Sequence, residues 1–303
     1  MRFASIDIGS NAVRLLFANV FESGTESVFK KESLIRVPVR LGLDTFSIGE
    51  ISVARAQNLI KTITAFKYLM EVNDVQGYKA CATAAIREAR NGKEIVQELF
   101  EKTGIEVEIA TGQREASIIY SNHVEEQLDM DKTYLYIDIG GGSTELSLFH
   151  KKEIIASQSF AIGTIRMINK RIKESDWEAM KKFVKNLAEK YTPIYGIGTG
   201  GNINKLYKLY GNNKDHSLTR KAIKEAYAHI SEYSFADRVV KLGLKPDRAD
   251  VIIPASEIVL AISKWAEMDK IFVPKIGLSD GLIHELYEEL YTKKITEIYY
   301  DEE

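Results

Sequence analysis

The tetrapeptide Ile-Asp-Ile-Gly occurs twice, at residues 6–9 and 137–140, each time inside the same larger pattern. An apolar run leads to an aspartate, Asp7 or Asp138. Small residues follow, and a second apolar run closes on Phe17 or Phe149. Such a stretch reads as strand, tight glycine turn, strand: a β-hairpin. One hairpin of this kind constrains little, and a plain structural turn explains it. Two, one in each half of a 303-residue chain, point to duplicated domains facing a shared cleft. The second tip is the more demanding, because Gly140, Gly141 and Gly142 in succession cost backbone entropy. Amides without side chains can approach a phosphate closely and donate hydrogen bonds to it. Asp138 and Glu145 flank those amides with carboxylates, a combination that suits a hard cation such as Mg²⁺.

The length admits one large or two ordinary domains, and 45% hydrophobic with 28% charged residues is ordinary for a globular protein with a real core. A net charge of -2 gives no argument for broad nucleic-acid binding. The single cysteine, Cys81, excludes an internal disulfide framework and fits a reducing cytosol. It lies in Ala80-Cys81-Ala82 and reads as a buried thiol. No stretch approaches a transmembrane span, and Met1–Asp7 is too short and too acidic for a signal peptide. The expectation is a cytoplasmic protein with neither nucleic acid nor membrane as partner.

Strands are expected at 3–8, 12–20 and 26–31, with residues 33–49 irregular. A helix follows over about 52–72, a buried strand over 78–83, a helix over 93–103, a strand over 105–110 and a helix over 113–128. The second half repeats this order: the hairpin at 134–149, a strand at 153–160, helix over 164–191, a strand at 193–197 and a helix at 202–210. Residues 212–267 have no counterpart and read as a helical insertion. A last strand at 271–276 contains Pro274, which suggests an edge or bulge, and a helix runs from 279 to about 295. Both halves therefore read βββαβαβα. The expected domains are 1–118 and 119–287, with a C-terminal helix over about 288–303 packing back on the first. Apolar helix faces in 212–267 and 280–300 could serve a homodimer, with core packing the default.

Five stretches could carry chemistry. In the first hairpin, Ser10 and Asn11 can donate to phosphate oxygens, or merely serve the turn. Arg14 stands among apolar residues that need no charge and can bind a phosphate bidentately. Arg87 follows a strand end by one helical turn from Thr83, a way to aim a guanidinium into a cleft, or an exposed helix-start arginine. Glu115 lies in the first turn after Gly112, where a carboxylate either caps the helix or acts as a general base. The loop Gly198-Thr199-Gly200-Gly201-Asn202 joins a strand to a helix, as phosphate-receiving loops often do. The five histidines have no metal-ligand spacing.

Taken together, Ile6–Asn11, Thr83–Ala89, Gly112–Ala116, Ile137–Leu146, Arg248–Ala255 and Gly277–Gly281 resemble the exopolyphosphatase and guanosine pentaphosphate phosphohydrolase family. That family belongs to the actin, Hsp70 and sugar-kinase superfamily of ribonuclease-H-like domains. The resemblance implies an α/β fold of two duplicated ribonuclease-H-like, actin-like ATPase domains around an interdomain cleft. It implies Glu115 as catalytic base, with Asp138 and Glu145 organising Mg²⁺ and the attacking water, and Asp7 beside them. Ser10, Asn11, Arg14 and Arg87 match phosphate-binding positions of the first domain, and Gly140, Gly141, Gly142 and Ser143 the phosphate-cradling turn of the second. Arg248, Asp250 and Pro254 match a motif read as structural. The chain is similar to the short form of the family, without the C-terminal helical extension of HD type. The expected activity is release of terminal phosphate from inorganic polyphosphate, with guanosine pentaphosphate the alternative substrate. An actin- or Hsp70-like nucleotide switch with little turnover is the reading from a different class.

Overall fold

The computed structural model describes residues 1–23, 26–120, 129, 131–151, 153–274 and 276–300. β1 (Arg2–Ile8), β2 (Val13–Ser23) and β3 (Glu26–Val37) form an antiparallel meander. After α1 (Gly42–Ile48) and α2 (Val53–Val72) the chain returns as β4 (Gly77–Ala82), parallel to β1. Then α3 (Ala84–Glu88) and α4 (Gly92–Thr103) lead to β5 (Glu108–Ile109) and α5 (Gly112–Tyr120). The sheet order is β3-β2-β1-β4-β5. The central strand β1 is buried on both faces, so Phe3–Ile8 read as a continuous apolar run interrupted only by Ser5 and Asp7.

The second half repeats this with β6 (Thr133–Ile139), β7 (Thr144–His150), β8 (Glu153–Phe160), α6 (Thr164–Ile168), α7 (Glu174–Tyr191), β9 (Ile194–Thr199) and α8 (Gly201–Tyr210). β10 (Ser217–Thr219), α9 (Arg220–Ser231), α10 (Phe235–Val240), α11 (Pro246–Ala249) and α12 (Ile252–Trp265) make up the insertion, before β11 (Lys270–Phe272) and α13 (Leu278–Tyr300). The order β10-β11-β9-β6-β7-β8 is the first sheet with one strand added. The expected α/β fold of two duplicated units is thus the observed one.

Four local expectations are corrected. β3 continues to Val37 instead of ending at 31, because the long strand β2 keeps pairing with it down to Val13↔Val37. The helical region 164–191 is broken by residues 169–173, where Lys170 adopts φ 53°. The insertion supplies β10, which pairs with β11 and makes it an interior strand; Pro274 falls beyond the strand end. The strand expected over 105–110 is reduced to Glu108–Ile109. The 121–128 part of the helix expected over 113–128, and residues 301–303 of the tail, lie outside the described residues.

The last helix of each half packs on the other half. α5 lies against β7 and β8. α13 covers β1 and β2, with Ile283, Leu286 and Tyr287 against Phe3, Leu16, Ala18 and Val20. Ile118 and Ile119 of α5 meet Leu278 and Leu282 of α13 in a small core between the sheets. Within the insertion, Ile223, Ile230, Ile258 and Ile262 belong to the second half's main core.

Candidate active site

The two hairpins have the same turn. Gly9 N donates to Ala12 O at 3.1 Å, and Gly140 N to Ser143 O at 2.9 Å. Each turn leaves an aspartate directly across the strands from a charged residue: Asp7 opposite Arg14, and Asp138 opposite Glu145. The tips touch one another. A Cβ on Gly141 would lie 2.9 Å from Ser10 Cβ, and one on Gly142 would lie 2.2 Å from the Phe46 ring. Gly141 and Gly142 are therefore required by close approach between the halves, in addition to any ligand, whereas a Cβ on Gly140 would meet only Ser143 O of its own turn at 3.2 Å.

Between the tips lies a cavity of about 100 Å³. Ser10, Asn11, Asp7, Arg14, Glu115, Asp138, Glu145 and the Gly140–Ser143 turn all line it, as do Gly200 and Gly201 of the second glycine loop. Arg87 is the one expected site residue outside that lining. It sits behind Glu115, with Nη1 donating to Glu115 Oε1 at 2.5 Å and to Ala110 O at 2.7 Å. Asn11, within that lining, donates its Nδ2 to Asp247 O at 2.9 Å. Asp7, expected beside Asp138 and Glu145 around a cation, has Arg14 on its Oδ2.

The electrostatics of the three acidic groups follow from burial. Burial pushes Asp138 up to about 6, assisted by Asp7 and opposed by Arg14. Burial and the neighbouring Asp138 push Glu145 up to about 7, against hydrogen bonds from Ser143 (2.5 Å) and Ser159 (3.0 Å). Burial, then Glu145, holds Glu115 well above the ordinary carboxylate range, and Arg87 opposes the shift. The three anions thus crowd one side of the cleft without enough positive charge. Among the described residues no three side chains form a metal cage. A cation that keeps most of its waters and shares phosphate oxygens needs only one or two carboxylates, so Asp138 and Glu145 fit Mg²⁺.

Two arginines were not anticipated as site residues. Arg36, on the part of β3 expected to be irregular, is the cross-strand neighbour of Arg14 and pairs with Asp247. Arg248, expected to be structural, projects from α11 onto Gly201, with Nη1 3.4 Å from Asn202 Oδ1. Burial and the nearby Arg36 and Arg14 lower it to about 10. A correct length for β3 would have exposed Arg36, since strand pairing places it beside Arg14. Arg248 is marked in the sequence only by a motif read as structural. The same segment clasps the first half: Arg40 pairs with Asp250, beside the Arg36–Asp247 pair. Among the described residues no histidine lines the site: His150, His216 and His229 meet Thr133, Tyr207 and Tyr210, and His284 stacks on Phe29; His123 lies outside the described residues.

A second cavity of about 320 Å³ adjoins the first. Arg14, Arg36 and Arg248 line both. Beyond them its walls include Leu16, Leu34, Ile276 and Leu278, with Lys31 paired to Asp280 at 2.7 Å.

Comparison with known proteins agrees with this architecture. The chain is 25% identical to a guanosine-5'-triphosphate,3'-diphosphate pyrophosphatase of Vibrio parahaemolyticus over 95% of its own length and 60% of the relative's. It is 25% identical to exopolyphosphatase 1 of Mycobacterium bovis over 93% of this chain and 87% of that protein. The chain spans only 47% to 60% of the length of the first curated relatives it matches. A crystal structure of the Aquifex aeolicus Ppx/GppA family member superposes with a TM-score of 0.73 at 27% identity, covering 95% of this chain and 98% of that one. No helix among the described residues is long and apolar enough to cross a membrane. Residues 27–290 match the Ppx/GppA phosphatase family, and the chain belongs to that family.

Proposed function

We propose that this chain hydrolyses the terminal phosphoanhydride bond of inorganic polyphosphate and releases phosphate, in the cytoplasm. One observation carries the reading: Glu115 opens onto a cleft whose other walls are two glycine-turn hairpins and the guanidinium groups of Arg14, Arg36 and Arg248. Amides of the two turns and these arginines receive the phosphates, a preorganised set of donors that needs no reorganisation of water. Glu115, oriented by Arg87, takes a proton from water as the water oxygen attacks the terminal phosphorus. The bridging P–O bond breaks, and its electron pair leaves on the shortened chain. The raised pKa of Glu115 makes it a more capable base than an exposed glutamate. Asp138 and Glu145 would hold Mg²⁺, which when bound would supply positive charge to the phosphate oxygens. Asp7, taken up by Arg14, positions that arginine.

A second reading, hydrolysis of a nucleoside polyphosphate such as guanosine pentaphosphate, draws on the larger cavity. Past the arginines its lining includes Leu16, Leu34, Ile276 and Leu278. Those walls suit an organic group better than further phosphates. The test is phosphate release with Mg²⁺ from polyphosphates of several lengths and from guanosine pentaphosphate, with Glu115→Gln as control. The variant is expected to fold and to lose about a hundredfold to ten-thousandfold in kcat. Near wild-type turnover would remove Glu115 from the role. Faster release from the nucleotide would favour the second reading. Nucleotide binding with no release from either would leave a nucleotide switch of the actin and Hsp70 kind.

A further inference from the structure

We propose that Arg114 is a positioning residue for the reaction: its two-pronged pair with Glu285 sets where α5 presents Glu115 to the cleft. The proposal rests on the reading of Glu115 as the base. α5 has nine residues and carries two adjacent, oppositely engaged side chains. Glu115 faces the cleft and Arg87. Arg114 faces α13, with Nη1 donating to Glu285 Oε1 and Nη2 to Glu285 Oε2, both at 2.6 Å. Its Nε donates to Glu108 Oε1 at 2.8 Å, on β5. Lys79 of β4 reaches the same Glu285 at 3.4 Å. One guanidinium therefore ties α5 both to the strand before it and to the helix that ends the other half.

The pair is matched by a backbone contact one helical turn away. A Cβ on Gly281 would lie 1.7 Å from Ile118 O, so only glycine lets α13 come this close to α5. Gly281 meets Ile118, and Glu285 meets Arg114, four residues further along one helix and four residues back along the other. The glycine contact sets the distance between the helices. The guanidinium fork sets rotation and axial position, because a bidentate pair fixes orientation as well as distance. The pair is shielded, with side chains 30% and 12% exposed, unlike the surface ion pairs that contribute little. At the N-terminus of α5, two residues before Arg114, a Cβ on Gly112 would lie 2.6 Å from Ser159 Cβ, and the Ser159 hydroxyl donates to Glu145 at 3.0 Å. A shift of α5 thus changes the separation of Glu115 from Glu145. Misplacement of a catalytic group by about 1 Å costs up to about a hundredfold in rate.

The experiment measures phosphate release with Mg²⁺ from tripolyphosphate and from guanosine pentaphosphate for Arg114→Gln, Arg114→Lys, Glu285→Gln and the exchange Arg114→Glu with Glu285→Arg. Thermal unfolding identifies folded variants. The expected result is a kcat lowered about tenfold to a hundredfold in Arg114→Gln, with KM changed less than about twofold. Arg114→Lys keeps the charge, loses the fork and falls between, and the exchange recovers part of the loss. In a Glu115→Gln background Arg114→Gln has no further effect, since the residue acts through the base. A kcat unchanged in folded Arg114→Gln or Arg114→Lys, with only the melting temperature lowered, overturns the proposal while leaving Glu115 in place. Near wild-type turnover of Glu115→Gln overturns the base and the proposal together.

Discussion

Two rows of residues cross the two sheets at the same place, and they differ where the chemistry differs. In the first sheet Cys81, Asp7, Arg14 and Arg36 lie side by side on β4, β1, β2 and β3. In the second, Thr199, Asp138, Glu145 and Ser159 occupy the same places on β9, β6, β7 and β8. The backbone, the turn and the aspartate are common to both. The residue opposite the aspartate decides the rest. Arg14 neutralises Asp7, and Arg36 beside it adds a second guanidinium to the first row, paired with Asp247 from the insertion. Glu145 puts a second carboxylate next to Asp138, and both are driven toward protonation. Duplication thus produced one scaffold with two polarities, a side suited to phosphate and a side suited to a cation. A single cross-strand position separates them.

The contrast can be broken most severely at Glu145. Glu145→Gln keeps the size and removes the charge, and kcat for phosphate release is expected to fall about a thousandfold, with the Mg²⁺ dependence weakened; several kcal/mol of charge stabilisation are at stake. A Mg²⁺ titration of phosphate release checks it, and full activity with unaltered Mg²⁺ dependence would deny the second row its role. The next effect is on stability. Asp138 rises from an ordinary 3.8 to about 6, and Glu145 from 4.5 to about 7. A carboxyl raised on folding binds more protons in the folded state, so its contribution is greatest below its unfolded value. That contribution is lost as pH rises through the folded value. Between pH 4 and 8, without divalent cation, these two interacting groups should together lower stability by roughly several kcal/mol. Asp138→Asn removes its share, and Mg²⁺ opposes the loss; denaturant unfolding at both pH values measures it. The smallest effect belongs to the first row. Arg14→Gln strands Asp7, which is 2% exposed. Because the Arg14 side chain is itself 29% exposed, the cost is discounted to about 2 kcal/mol. The loss should disappear when Asp7→Asn is added, a double-mutant cycle that would fail if the two residues were not coupled.

The sequence by itself determined the duplicated hairpins, the α/β order and the set of acidic residues at the turns. These are local matters: a strand, a glycine turn and the residues flanking them are contiguous, and their pattern survives without knowledge of what packs on them. Glu115 was also legible in the sequence, through its motif and its place in a first helical turn. What only the tertiary structure decided are the partnerships over distance. Arg87, expected on phosphate, holds Glu115 from 28 residues away, and Asn11 reaches Asp247 across 236. Arg36 entered the site because the length of β3 is set by pairing with β2 and not by its own composition. Arg248 and the clasp to Arg36 and Arg40 come from a segment with no counterpart in the first half. Gly141 and Gly142 at the second tip, expected to serve a ligand, are the residues that let Ser10 and Phe46 approach. In each case the deciding contact lies between segments whose local patterns carry no record of each other, and for Asn11, the clasp and the second tip it joins the two halves. Each hairpin brings its own pair together, Arg14 beside Asp7 and Glu145 beside Asp138, but only packing closes the two tips on one cavity.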